Sequence, residues 1–172
     1  LSRSEGLRNI KQYSTILIGC GLGLHPASIK LFKDIIKQLQ KEATPVIIDA
    51  DGLNILAKTK IKLPQNLIIT PHPLEAARLL ECKLENILSD LEGAAKKLSK
   101  KYNCVAVLKT HRTIICEGKK IFINQHGNSA LAKAGSGDVL AGIIAGLLAQ
   151  KMDLFEAVKL GVYLHSRTGE IA

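Results

Sequence analysis

Four short apolar runs recur along the chain, and they constrain the fold more than any other feature. They are Thr15-Ile16-Leu17-Ile18-Gly19, Val46-Ile47-Ile48, Asn66-Leu67-Ile68-Ile69 and Cys104-Val105-Ala106-Val107-Leu108. Runs this short, apolar at every position, read as strands buried on both faces. Helical patterns separate them. Ala27 to Lys41 carries Leu31, Phe32, Ile35, Ile36 and Leu39 on one side and lysines opposite, and Glu85 to Lys101 reads as a second amphipathic helix. Strands alternating with helices prescribe a mostly parallel sheet in a three-layer α/β/α arrangement, with ligands at the carboxyl ends of the strands. Ile114 to Glu117 and Lys120 to Asn124, joined by Gly118-Lys119, read as a β-hairpin in the C-terminal half. Val139 to Ala149 is apolar all round, which predicts a helix buried in mid-domain, with Gly142 and Gly146 letting it lie close on the sheet. A last helix, capped by Asp153, runs from Leu154 to Ala172 with His165 as a packed residue.

The chemistry gathers where the strands end. The first runs into Gly19-Cys20-Gly21-Leu22-Gly23, which is not the dinucleotide fingerprint because Leu24 occupies the third glycine position. The second runs into Asp49-Ala50-Asp51-Gly52-Leu53-Asn54, where Asp51 suits either a helix cap or a ligand contact. The third ends in Thr70-Pro71-His72-Pro73-Leu74-Glu75. Two prolines hold His72 in an extended turn, and Glu75 falls in the first turn of a new helix. The fourth ends in Lys109-Thr110-His111-Arg112-Thr113, where the two bases are either solvated or anion-facing. Finally a polar loop with Asn128 leads into Gly135-Ser136-Gly137-Asp138 at the head of the apolar helix. Glycines let backbone N–H groups approach a ligand, and a helix N-terminus seats an anion. Asp138 there is either a first-turn charge or a base beside a bound phosphate.

Composition narrows the classes of function. The 172 residues suit one domain, and a hydrophobic content of 47% excludes general disorder. A net charge of +9 favours polyanionic partners, yet with aromatics at 3% there is little to stack on single strands, so nucleotides fit better than nucleic acid. Cys20, Cys82, Cys104 and Cys116 form no C-x-x-C pair, which predicts free thiols in a reducing cytoplasm and no zinc site. The longest apolar run is too short to span a bilayer, so no membrane association is expected.

Ala134-Gly135-Ser136-Gly137-Asp138-Val139-Leu140-Ala141-Gly142 resembles the anion-hole and catalytic-Asp signature of the ribokinase-like superfamily. More narrowly, it resembles the ADP/ATP-dependent NAD(P)H-hydrate dehydratases, and four further stretches carry the same likeness in family order. Gly19 to Gly23 is similar to the family's G-P-G-L-G turn, with Cys20 in place of the usual proline. Asp49 to Asn54 matches D-A-D-x-L-N, and Thr70 to Glu75 matches T-P-H-x-x-E, with Leu74 where glycine is more frequent. Lys109 and Thr113 fit K-G-x-x-T, and Thr110 departs from its glycine. Leu164-His165 with Gly169-Glu170 and Ala172 is similar to the closing helix motif.

The resemblance implies repair of S-NADHX and S-NADPHX to NADH and NADPH, by phosphorylation of the C6 hydroxyl from ADP or ATP, ADP ahead of ATP, and elimination of phosphate. It implies Asp138 as the catalytic base and Gly21, Gly23, Asp51, His72 and Asp138 in contact with the hydrated nucleotide. It implies Lys109, Thr110, His111, Arg112, Thr113, Asn128, Gly135, Ser136 and Gly137 around the adenine nucleotide, and Glu75 organising Mg2+ through water. It further implies a homo-oligomer, fusion to or cooperation with an NAD(P)H-hydrate epimerase, and family members longer at the N-terminus, so that residues 1–172 read as a single ribokinase-like domain lacking its N-terminal part. Two other readings stand beside it: a small-molecule kinase of the same superfamily, similar to hydroxyethylthiazole kinase, and a nucleotide-binding fragment without catalysis. A basic nucleic-acid binder has only the charge in its favour.

Overall fold

The computed structural model describes residues 10–127 and 133–171. Each apolar run forms a strand: β1 (Ile16–Ile18), β2 (Val46–Ile48), β3 (Leu67–Ile69) and β4 (Val105–Leu108), followed by β5 (Ile114–Glu117) and β6 (Lys120–Ile123). They pair in sequence order, β1-β2-β3-β4-β5-β6. The first four are parallel, with Ile18 opposite Ile48 and Ile48 opposite Ile69, and β4, β5 and β6 pair antiparallel around the predicted hairpin.

This order follows from the crossovers. A right-handed connection that always steps to the same side places every crossover helix on one face of the sheet. Here α1 (Pro26–Leu39), α2 (Asp51–Ala57), α3 (Pro73–Leu80), α4 (Leu84–Ser89) and α5 (Leu91–Tyr102) fill the three crossovers. One core joins Phe32, Ile36, Leu53, Leu79 and Leu98 to Val46, Ile48, Leu67, Ile69 and Leu108. The alternate strand residues Ile47, Ile68, Val105, Val107 and Ile115 face the other way, against α6 (Ser136–Ala149) and α7 (Leu154–Ile171). A fully apolar strand is what two covered faces require, so the three layers follow from the composition of the strands.

Two sequence expectations are corrected. Glu85 to Lys101 is not one helix. It breaks at Asp90, whose backbone leaves the helical region at φ −148° and ψ 77°. The Asp90 carboxylate instead accepts the Gly93 N–H at 2.8 Å and caps α5. Local capping of this kind competes with helix continuation. Nor is α6 buried all round. Leu140, Ala141, Ile144 and Leu148 are buried, but Val139 is 57% exposed, and a Cβ at Gly142 or Gly146 would meet nothing within 4 Å. The two glycines therefore face outward and do not bring the helix onto the sheet; α7 and β1 supply its main contacts.

Candidate active site

The parallel strands β1 to β4 all end on one side, and their exits deliver the chemistry to one place. The β1 and β2 exits come unusually close: a Cβ at Gly19, whose φ is +131°, would run into the Asp49 carbonyl. Only glycine allows this approach. It brings Cys20 to Asp49, while α6 begins just across the gap with Gly135 at φ 85° and Asp138 in its first turn. The Cys20 sulfur and one oxygen each of Asp49 and Asp138 all lie within 4.8 Å of one another.

Asp49 is only 1% exposed. Its Oδ1 accepts from Lys109 Nζ at 2.7 Å and from the Ala50 N–H at 2.8 Å. Lys109 is thus neither a solvated base nor free to move: it neutralises a buried carboxylate while its Nζ lies beside Gly137 in the α6 first turn. Burial, helped by a hydrogen bond to Asp138 and by the charges of Asp49 and Asp138, pushes the Cys20 thiol up to about 12.

His72 adopts the extended conformation that its flanking prolines predict, with φ −79° and ψ 169°. It is also the N-cap of α3. Its Nδ1 accepts from Leu74 N at 3.2 Å and from Glu75 N at 3.3 Å, and the Glu75 carboxylate accepts the His72 N–H at 2.8 Å. Such a reciprocal box satisfies donors that a helix start otherwise leaves unpaired. It requires an unprotonated Nδ1, and desolvation does hold His72 below its ordinary pKa, opposed by Glu75 and supported by Lys109 and Arg78.

A cavity of about 760 Å³ unites Asp49, His72, Lys109 and Asp138, and Cys20 lies outside its lining. Of the residues picked out from sequence, it is lined by His72, Glu75, Lys109, Thr110, His111, Thr113, Ser136, Gly137 and Asp138. Arg112 instead faces a neighbouring cavity of about 880 Å³ between the same turn and the start of α5, so Lys109 to Thr113 forms the wall between the two. Gly21, Gly23, Gly135 and Asp51 lie outside the lining of the first cavity. Asp51 Oδ2 is occupied by the Gly23 N–H at 2.8 Å, which ties the glycine turn to α2. Asn128 lies outside the described residues.

Seven lining residues were not picked out from sequence, and three of them carry ionisable side chains: Asp49, Lys133 and His165. Asp49 and Asp51 look alike in sequence, and only the β1–β2 approach shows which of the two faces inward. Lys133 lines the cavity from the loop before α6. His165, expected as a packed helix residue, lines it too, with Nε2 3.0 Å from Ser136 Oγ. Desolvation lowers its pKa, opposed by a hydrogen bond with the Ser136 backbone. Its spacing on α7 placed it on the inward face but could not show that this face meets the head of α6.

A magnesium ion prefers hard oxygen donors in octahedral array. Cys20, Asp49 and Asp138 fit it poorly, since one donor is a thiol and Lys109 already neutralises Asp49. The Glu75 carboxylate, 7% exposed, accepts the His72 N–H at 2.8 Å and lies 3.5 Å from His72 Nε2.

The family model described as NAD(P)H-hydrate dehydratase matches residues 2–172. The ADP-dependent (S)-NAD(P)H-hydrate dehydratase of Neisseria meningitidis is 38% identical over 177 residues, covering 99% of this chain and 59% of the relative. A ribokinase-like superfamily protein from Enterococcus faecalis superposes with a TM-score of 0.87 at 33% identity, over 98% of this chain and 58% of that one. The ADP/ATP-dependent NAD(P)H-hydrate dehydratase of Bacillus subtilis, co-crystallised with ATP/Mg2+, superposes with a TM-score of 0.80 at 33% identity, over 92% and 55%. The chain therefore spans less than two thirds of the length of these relatives. All four cysteines are free, and no described helix is long and apolar enough to cross a membrane.

Proposed function

The chain belongs to the NAD(P)H-hydrate dehydratase family, and from that premise we propose that it removes water from S-NADHX and S-NADPHX at the expense of ADP or ATP. The observation that carries this is the position of Asp138, in the first turn of α6 and within the cavity that also holds His72 and Lys109. The hydroxyl at nicotinamide C6 loses its proton to Asp138 as its oxygen bonds to the terminal phosphoryl of the nucleotide. The phosphoryl–oxygen bond of the donor breaks, and the shortened nucleotide departs. The new phosphate ester then leaves as inorganic phosphate, with loss of a ring proton, and the double bond of the dihydronicotinamide is restored. Proton removal by a placed carboxylate contributes roughly 10²–10⁴-fold to such a step.

The remaining roles follow from charge and place. The Ser136 N–H is donated to the Lys133 carbonyl at 3.2 Å, so the Gly135 and Gly137 N–H groups at the helix N-terminus serve the transferring phosphoryl, where positive potential is most effective. Lys109 to Thr113, with Asn128, hold the phosphates and the nucleoside of the donor. His72, Asp51 and the Gly21 to Gly23 turn hold the hydrated nicotinamide. Glu75 would hold a magnesium ion through water, and such an ion would supply neutralising charge to the transferring phosphoryl. His165 fixes the Ser136 hydroxyl and with it the anion-binding turn. The four free thiols support a reducing compartment, the cytoplasm.

Product analysis tests the reading. Incubation of the protein with S-NADHX and ADP or ATP is expected to yield NADH and inorganic phosphate in equal amounts. A stable phosphorylated alcohol with no NADH would assign the site to a small-molecule kinase instead.

A further inference from the structure

Cys20 stands where the resembled turn carries proline, and hydration repair, as described above, leaves it without a role. Three separate elements bring its surroundings together: the β1 exit with Cys20, the β2 exit with Asp49 and the head of α6 with Asp138. The two carboxylates differ. Asp49 is buried and already served by Lys109 and the Ala50 N–H, whereas Asp138 is exposed on the first turn of its helix. A thiol offers one hydrogen to one acceptor, and proline at the same place offers none. We propose that Cys20 is a positioning residue whose S–H faces the Asp138 carboxylate and holds it in the orientation that meets the substrate hydroxyl.

This inference rests on the reading of Asp138 as the base. A positioning donor must stay protonated while the enzyme works, and here it does: burial first, then the hydrogen bond to Asp138 and the two carboxylate charges, hold the thiol far above its ordinary range. The charged groups facing Cys20 are Asp49 and Asp138, with Lys109 behind Asp49. A thiol in this setting is a poor nucleophile, because the reactive species is the thiolate. Its place beside the base is therefore one of orientation, not covalent chemistry.

Two measurements decide it, and the first needs no turnover. Iodoacetamide alkylation at about pH 9, where ordinary thiols are largely ionised, is read at each cysteine by mass spectrometry. Cys20 is expected to react much more slowly than the exposed Cys82, and Asp138→Asn is expected to speed Cys20 several-fold while leaving Cys82 unchanged. Equal Cys20 rates in parent and Asp138→Asn overturn the contact and the proposal with it. The second is steady-state dehydration. Cys20→Ala is expected to lower kcat on the order of ten-fold, as misplacement of a reacting group does, with the KM for nucleotide unchanged, and Cys20→Ser to restore kcat. Full kcat in Cys20→Ala, or an equal loss in Cys20→Ser, overturns the positioning role. A parent that performs no dehydration at all overturns the reading of the site, and the alkylation arm then still decides whether Cys20 and Asp138 are in contact.

Discussion

Replacing Lys109 with Met removes the only cation within hydrogen-bond distance of Asp49 in the described residues and leaves a carboxylate that is 1% exposed. The Ala50 N–H remains as a donor, but an amide does not offset a buried charge. Breaking a buried pair from one side typically costs about 3–5 kcal/mol, a large fraction of the stability of a domain this size. Lys109 is itself 19% exposed, so solvent relieves part of the loss and the lower end of that range is expected. Equilibrium urea unfolding of Lys109→Met measures it. Asp49→Asn in the Met background removes the stranded charge and is expected to recover more than half of the deficit. A Lys109→Met loss below about 1 kcal/mol, in the range of exposed pairs, would refute the idea that this lysine holds the floor of the site together. Weakened nucleotide binding in a Lys109 variant would then reflect direct contact alone.

Three further outcomes are expected. His72 and His165 both have pKa values lowered by burial, so the neutral forms favour the fold: their contribution is present above the unfolded value and lost as pH falls through the lowered ones. The melting temperature should therefore drop between about pH 7 and about pH 5, and His72→Asn, which keeps a capping side chain, should flatten that drop; an unchanged slope would show that the cap does not titrate. Gly19→Ala should prevent stable folding because the added carbon meets the Asp49 backbone, and soluble protein with an unchanged circular dichroism spectrum would contradict the close approach. Asp51→Ala frees the Gly23 N–H and should cost about 1–3 kcal/mol in urea unfolding, with a raised KM for the hydrated nucleotide; an unaltered KM would make Asp51 a brace of the turn and nothing more.

Much of the frame was legible because the strands are apolar at every position. Ile47 and Ile48 cannot both face one core, so a run like Val46 to Ile48 announces two covered faces before any helix is placed. The prolines around His72 likewise fixed its extended backbone from covalent geometry alone. What escaped depended on distance between elements. Asp49 and Asp51 look equivalent in sequence, and only the collision course of Gly19 with the β2 exit separates the residue facing the cavity from the one bonding Gly23. Lys109 and Asp49 are sixty residues apart, so no local pattern joins them. The break at Asp90 was a contest between helix propensity and a side-chain cap that the lysine-rich periodicity concealed. Apolar content misled at α6, where Val139, Gly142 and Gly146 face outward despite their composition.

The central claim is that Asp138 takes the proton from a hydroxyl placed beside a nucleotide phosphate. Asp138→Asn keeps the size of the side chain and cannot accept that proton. The decisive measurement is the rate of NADH formation from S-NADHX with ADP or ATP, in parent and variant, alongside nucleotide binding by calorimetry. The account predicts at least about a hundred-fold loss of rate with nucleotide affinity retained. A variant that repairs S-NADHX at more than about a tenth of the parent rate would contradict it and leave Asp138 as a helix-terminal charge.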